Sequence, residues 1–243
     1  MLLATAGVMA AGNPKVIAHR GYWQTPGSAQ NSIRSLVKAD SIGCYASEFD
    51  VWMTADDVLV VNHDPTINGI VIENAQSDTV LAQRLANGET VPTLDAYLAT
   101  AATLPSRIVC ELKVHDSRGK ERKAVQGILD MVRKYGLEDK TDYITFSRDA
   151  FKEFIRKAPE GTGVYYLEGD YVPAQIKHLG GAGIDYYIGV VKNHPEWIAE
   201  CHDMGLLVNI WTVNSEADMR WCIDNGADFI TTNDPELLQS LLK

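Results

Sequence analysis

Basic residues are scarce in this chain of 243 residues: 22 Lys and Arg stand against 32 Asp and Glu, for a formal net charge of −10. That shortage, with a pI near 5.0, argues against nucleic acid or an anionic membrane surface as a partner. An anionic small molecule stays open, provided a bound cation or a few local Lys and Arg reverse the sign inside a site. Long apolar runs are also missing, and none approaches the roughly 20 residues of a membrane span. Cysteine is sparse, and Cys44, Cys110, Cys201 and Cys222 form no CxxC pair. Cys110 sits in an apolar run and Cys222 in a helical pattern, so the four read as buried free thiols that do not settle the redox compartment. Without Cys or His pairs at zinc spacing, a zinc site is not expected.

What is present is ordinary globular composition, long enough for one large domain that folds without disulfides or structural metals. The first residues, Met-Leu-Leu-Ala-Thr-Ala-Gly-Val-Met-Ala-Ala, look like the apolar part and cleavage region of a secretory signal, without its basic start. Residues 1–13 are therefore set apart as a leader remnant. Export to the periplasm or medium is expected if the leader is a signal, and a cytoplasmic location otherwise.

Residues 14–243 read as a single domain in which short apolar runs alternate with amphipathic stretches. Strand candidates fall at 15–18, 46–52, 58–62, 107–112, 142–146, 163–167, 186–190, 206–211 and 228–231. Most are apolar throughout, the pattern of parallel strands covered on both faces. Helix candidates at 32–40, 93–102, 120–135, 148–157, 172–179, 195–204, 216–225 and 235–242 lie between most of them. Gly136 and Gly205 stand where helix C-caps belong, and Ser215 reads as an N-cap. Repeated strand–helix units over this length predict an α/β fold of the (β/α)8 TIM-barrel type. An open doubly wound sheet is the alternative, disfavoured because no glycine-rich phosphate loop follows the first strand. Nine strand candidates are one too many for the barrel. The runs at 46–52 and 58–62 are joined by too short a turn for a helix, so one strand is irregular or lies outside. Residues 64–92 lack periodicity and read as a loop or small insertion, after the third strand, over one end of the barrel.

Ionisable residues collect at strand ends: His19-Arg20, Glu48-Phe49-Asp50, His63-Asp64, Glu111-Leu112-Lys113, and Trp211 with Asn214. In a barrel these ends converge on one mouth. Strand alternation turns Glu48 and Asp50 the same way, and likewise Glu111 and Lys113, with Phe49 and Leu112 in the packing behind. Three carboxylates meeting in a poorly solvated space would each cost several kcal/mol, roughly, if ionised and unpaired. Protonation or a cation must resolve that, and an all-oxygen set favours a hard divalent ion, Mg²⁺ or Ca²⁺. Two histidines flanking the acids can deliver and remove protons. A cation with Arg20 and Lys113 suits an anionic substrate that gains charge in its transition state, above all a small phosphodiester. Each element alone has a plainer reading. His-Arg-Gly can be a turn, Glu-Phe-Asp a paired strand end, and His63-Asp64-Pro65 a cap. His115, His178, His194 and His202 read as surface or structural, and Asp56-Asp57 as the turn between strands. It is the set at four strand ends that favours chemistry.

The order of motifs resembles the glycerophosphodiester phosphodiesterase family. It runs His19-Arg20-Gly21, Gln30-Asn31-Ser32, Glu48-Phe49-Asp50-Val51, Thr54-x-Asp56, His63-Asp64, Val91-Pro92-Thr93-Leu94, Glu111-Leu112-Lys113, Trp211-Thr212-Val213-Asn214 and Thr231-Thr232-Asn233-Asp234-Pro235. The resemblance spans nearly the whole chain. It implies a TIM-type barrel and metal-dependent hydrolysis of glycerophosphodiesters to glycerol 3-phosphate and an alcohol, through a cyclic phosphate. Carried over by position, Glu48, Asp50 and Glu111 are implied as metal ligands for one divalent cation, Mg²⁺ or Ca²⁺. His19 and His63 are implied as the acid/base pair, Arg20 and Lys113 as phosphate contacts, and Trp211 as lining the glycerol side. Two departures stand out: Ala29-Gln30-Asn31-Ser32 replaces the family's Pro-Glu-Asn-Thr, and the insertion is short. A membrane-acting phospholipase on the same scaffold lacks the membrane-binding segment it needs. A two-carboxylate glycosidase leaves both histidines and Lys113 without a role, and a non-catalytic binding module leaves the whole constellation unused.

Overall fold

A computed structural model describes residues 12–243, and most of the segment 1–13 expected as a leader, residues 1–11, lies outside the described residues. Eleven strands form in chain order: β1 (Lys15–Ala18), β2 (Ala46–Met53), β3 (Leu59–Val61), β4 (Thr66–Ile67), β5 (Ile70–Val71), β6 (Arg107–Leu112), β7 (Thr141–Thr145), β8 (Val164–Tyr166), β9 (Gly183–Tyr187), β10 (Leu207–Trp211) and β11 (Phe229–Thr232). β1, β2 and β6 to β11 are parallel neighbours. β1 pairs with β11 on one side (Val16 opposite Ile230) and with β2 on the other (Ile17 opposite Ala46), so the eight strands close on themselves. This is the (β/α)8 barrel.

The ninth candidate is β3, which pairs antiparallel with β2 outside the barrel, Val51 opposite Val61. The turn between them, where Thr54 Oγ1 donates to Asp56 Oδ1, is too short for the crossover helix that a parallel strand needs. One expected strand is displaced. The run at 186–190 begins earlier, at Gly183, and from Ile188 the chain turns into the helix Ile188–Asn193. An apolar run of that length carries no mark of where a strand gives way to a helix.

Alternation along each strand divides the core in two. Val16 and Ala18 on β1, Phe49 and Val51 on β2, and Cys110 and Leu112 on β6 pack outward against the helices. Ile17, Ala46, Val109, Ile144, Tyr165 and Phe229 fill the barrel. Phe49 stacks on Tyr97 of the helix Leu94–Ala101 with ring centroids 4.4 Å apart. Ser32, Thr93, Ser117, Ser147 and Ser215 each cap a helix by accepting from the backbone N–H three residues on. Residues 64–92 hold the β4–β5 hairpin and the helix Ser77–Leu81. Trp52, Val60, Ile72, Val80 and Val91 form a small core of their own beneath this segment. Among the described residues no helix is long and apolar enough to cross a membrane.

Candidate active site

The strand ends expected to converge do so. Glu48 and Asp50 alternate with Phe49 on β2, so burying Phe49 in the outer layer turns both acids to the barrel mouth. Glu111 on β6 stands in register with Asp50. One carboxylate oxygen from each of the three lies within 4.8 Å of the others, and all three residues are buried. His19 and Arg20 from the end of β1, His63 from beyond β3, Lys113 from beyond β6 and Trp211 from β10 line the same pocket, about 120 Å³ in volume. Asp50 joins Glu48 and Glu111 behind this pocket, while Asn214 lies outside its lining and accepts from the Asn233 backbone N–H at 2.9 Å.

Local backbone geometry explains the His-Arg-Gly turn. Arg20 takes φ +58°, which presents its backbone N–H to Glu48 Oε2 at 2.7 Å. Gly21 follows at φ +76°, where a Cβ would fall 2.4 Å from Ser35 Oγ, so no other residue fits without displacing the helix behind it. The Arg20 side chain reaches to 3.8 Å from Asp50 Oδ2, and its guanidinium donates to Gln30 Oε1 at 2.7 Å. Lys113 Nζ sits 3.2 Å from Asp50 Oδ1 and 2.7 Å from Glu111 Oε1.

The electrostatics are those of an overcrowded acidic site. Burial pushes Glu48 well above the ordinary carboxyl range, helped by the charges of Asp50 and Glu111. Burial and then Asp50 raise Glu111 to about 8, against the pull of Lys113. Burial would raise Asp50 too, but Lys113, His63, Asn31 and Arg20 together hold it below its usual value. Burial opposes the charge on Lys113, yet Asp50 and Glu111 more than compensate and keep it protonated. Glu48 Oε1 is buried without any hydrogen-bond partner. A buried orphan oxygen, two carboxyls held back from ionising and an all-oxygen donor set are what a hard divalent cation relieves. The residues present fit such an ion.

The histidines are held differently. His19 Nδ1 lies 2.8 Å from Asn233 Oδ1, an oxygen that also accepts from Trp23 Nε1 at 3.1 Å. An acceptor at that place fixes the proton on Nδ1 and leaves Nε2 with its lone pair. Burial, with the charge of Arg20, drives the His19 pKa down to about 4, so the ring is neutral at pH 7. His63 Nδ1 lies 2.7 Å from Asp64 Oδ1, a carboxylate that favours the imidazolium. Burial lowers its pKa as well, while Asp50 acts in the opposite sense.

Four residues at the site had no role in the sequence reading. Asn31, at φ +59°, donates from Nδ2 to Asp50 Oδ2 (2.8 Å) and accepts from the Asp50 backbone N–H (3.0 Å), fixing that carboxylate twice. Asn233 and Asp64 orient the histidines. Asn31 and Asn233 stand inside the recognised motifs, so their positions were visible but their partners were not. Asp185 lines the pocket floor, fully buried, and accepts from Asn209 Nδ2 at 2.9 Å. Its signal was a lone acid in an apolar run, hidden because the strand was expected to start after it. Trp211 donates from Nε1 to the Asp185 carbonyl at 2.9 Å and meets Phe146 edge-on, with centroids 5.7 Å apart. With Ile144 and Leu167 these rings make an apolar wall of the pocket. His115 is structural: its Nε2 accepts from the Met53 N–H and its Nδ1 faces the Lys113 carbonyl, tying the end of β2 to that of β6.

Known proteins are similar to this chain over most of its length. A glycerophosphodiester phosphodiesterase of Caldanaerobacter subterraneus subsp. tengcongensis is 26% identical over 246 residues, covering 94% of this chain and 97% of that one. A crystal structure of a glycerophosphodiester phosphodiesterase from Parabacteroides distasonis superposes with a TM-score of 0.93 at 48% identity, covering 95% of this chain and 97% of that one. An Oleispira antarctica phosphodiesterase, solved with the product sn-glycerol-3-phosphate, shares the fold at a TM-score of 0.81 and 21% identity, covering 94% and 96% of the two chains. The sequence pattern of the Glycerophosphoryl diester phosphodiesterase family matches residues 19–237. With barrel, acidic cluster and paired histidines in that frame, the chain belongs to the glycerophosphoryl diester phosphodiesterase family of enzymes.

Proposed function

We propose that this enzyme hydrolyses glycerophosphodiesters to glycerol 3-phosphate and an alcohol, with a divalent cation held by Glu48, Asp50 and Glu111. The observation that carries the reading is the meeting of those three acids with His19, His63, Arg20 and Lys113 in one pocket. The names of its relatives support it, as does the product bound to the Oleispira protein of the same fold. A hard ion, Mg²⁺ or Ca²⁺, would supply positive charge facing the phosphodiester oxygens.

The chain's own groups do the rest. Arg20 and Lys113, anchored on the acids, contact the non-bridging phosphate oxygens and offset the charge that grows there. His19, neutral and with Nε2 free, takes the proton of the glycerol 2-hydroxyl as that oxygen attacks phosphorus. His63, backed by Asp64, gives a proton to the departing alcohol oxygen. A cyclic phosphate forms, and water then opens it with the two histidines exchanging roles. Because nucleophile and phosphorus belong to one molecule, the first step avoids the entropy of bringing two together. The wall of Trp211 and Phe146 excludes water beside the glycerol carbons.

The test is a coupled assay for glycerol 3-phosphate release from glycerophosphocholine, -ethanolamine, -glycerol and -inositol. It is run after EDTA treatment and again with Mg²⁺ or Ca²⁺ restored. Release with the metal and none without it is expected. Full activity after exhaustive chelation would remove the cation from the reading, and no release from any diester would remove the reading itself.

A further inference from the structure

A second recess opens beside the catalytic pocket. It is a groove of about 630 Å³ between the loop after β1 and the insertion, lined by Trp23, Ser28, Gln30, Asn62, Ile67 and Arg84 among others. Its lining neighbours that of the pocket at two points. Gln30 holds the Arg20 guanidinium through its Oε1, and Asn62 immediately precedes His63. A diester whose phosphate lies at Arg20 and His63 therefore has one ester arm at the inner end of this groove, and the other at the apolar wall of Trp211 and Phe146.

The chemistry of the groove's lining is one-sided. None of its side chains is acidic, and Arg84 is its one ionised group. Arg84 is exposed and gives one bond, to the Gly88 carbonyl at 3.2 Å, which leaves most of its guanidinium donors free. The Gln30 amide nitrogen and the Asn62 side-chain oxygen have no partner among the described residues, since Gln30 uses its oxygen on Arg20 and Asn62 its nitrogen on the Asp64 carbonyl. Trp23 is fixed by its bond to Asn233. A cationic alcohol entering here would meet Arg84, the one charged side chain of the lining. An uncharged polyol would meet amide and guanidinium groups and an indole ring. Attraction for one class and repulsion of the other act together.

Resting on the hydrolase reading above, we propose that this groove is the subsite of the departing alcohol and selects an uncharged polyol, such as glycerol or a cyclitol, over an ammonium alcohol. Arg84, Gln30 and Asn62 donate to and accept from its hydroxyls, and Trp23 packs on its carbon face. The insertion contributes Ile67 and Arg84, and these two residues set the substrate range without touching the acids or the histidines.

The experiment compares kcat/KM of the full-length enzyme for glycerophosphoglycerol and glycerophosphoinositol with that for glycerophosphocholine, by glycerol 3-phosphate release under saturating Mg²⁺ or Ca²⁺. The polyol esters should lead by about tenfold or more, the scale on which one pocket contact discriminates. Arg84→Glu should shrink that ratio several-fold by drawing in the choline ester, and Arg84→Gln should shrink it less. Trp23→Ala should raise KM for the polyol esters more than it lowers kcat. A choline ester hydrolysed as well as the polyol esters by the unmodified enzyme would overturn the proposal while leaving the hydrolase reading intact. No release from any diester would overturn both.

Discussion

Asp185→Asn offers a direct measure of how strongly the barrel floor disfavours charge. The Asp185 carboxyl is fully buried, and burial raises its pKa from 3.8 to about 7, against the hydrogen bond from Asn209. Asn209 also bonds Thr231 Oγ1 at 2.9 Å, so the amide cannot turn away to serve Asp185 alone. For an acid whose folded pKa is raised, the native state binds the proton more tightly than the unfolded chain. Its contribution to stability is complete below pH 3.8, falls as pH rises toward about 7, and is flat above that. Each pH unit inside that window costs about 1.4 kcal/mol, so between pH 5.5 and pH 8 the wild-type protein should lose about 2 kcal/mol through this one residue.

The amide keeps the oxygen that Asn209 bonds and never ionises, so the variant should escape that loss. Urea unfolding of both proteins at pH 5.5, 6.5, 7.5 and 8, with EDTA present so that cation occupancy does not vary, reads the difference. Other titrating groups act equally in the two proteins and cancel. The variant should gain on the wild type as pH rises and the gap should stop growing above about pH 7. A gap that stays constant from pH 5.5 to 8 would refute the reasoning and place an ionised, compensated carboxylate on the barrel floor.

Replacing His19 or His63 with Ala should lower kcat about a hundredfold or more while circular dichroism stays native. On a glycerol phosphodiester with a p-nitrophenol leaving group, which departs without a proton, the His63→Ala loss should shrink and the His19→Ala loss should not. Equal rescue of both variants would reverse or dissolve the assignment of base and acid. Asn31→Ala strips two hydrogen bonds from Asp50, and leaving such buried groups unsatisfied costs about 1–3 kcal/mol each. A lower urea midpoint together with weaker Mg²⁺ binding by calorimetry is expected, and an unchanged midpoint would show that Asn31 is dispensable. The thiols of Cys44, Cys201 and Cys222 are pushed up to about 12, each chiefly by burial. Ellman's reagent should therefore label them only after unfolding in guanidinium, and fast labelling of the native protein would contradict their burial.

The barrel was legible in the sequence because parallel strands covered on both faces are written as short apolar runs, and those runs recur with helical stretches between them. The candidate site was legible because its acids interrupt such runs, Glu48 and Asp50 within β2 and Glu111 near the end of β6. What the residues did not show are relations between distant segments. Nothing in the sequence says that Asn233 faces His19, or that Asn31 grips Asp50 from both sides, because amides carry no periodicity and their partners are set by closure of the barrel. The start of the helix Ile188–Asn193, residues 188–190, reads as strand in the sequence because β-branched and small residues in a short apolar run suit either state, and tertiary packing decides. The insertion lacked a period because its elements are very short: a hairpin of two-residue strands, one turn of 3-10 helix and a five-residue helix. Five buried residues hold them, Trp52 and Val60 from before the insertion and Ile72, Val80 and Val91 from within it.

Why an acidic protein should build its catalytic pocket around three more acids follows from counting charge at the mouth. Fully ionised, Glu48, Asp50 and Glu111 outweigh Arg20 and Lys113 by one, and a phosphodiester would be repelled. The chain relieves that excess in part by leaving Glu48 and Glu111 reluctant to ionise. A divalent ion relieves it differently, since its two charges let all three acids ionise and turn the local sum positive by one. The two cationic side chains cannot be spared for that purpose, because each is already bound to the acids, at 3.8 Å for Arg20 and 2.7–3.2 Å for Lys113. A cation held there would both complete the acids and free part of Arg20 and Lys113 to face a phosphate. Adjacent strands β2 and β6 are the place for this, since their register sets Asp50 against Glu111 and strand alternation brings Glu48 to the same face, with no loop needing to move.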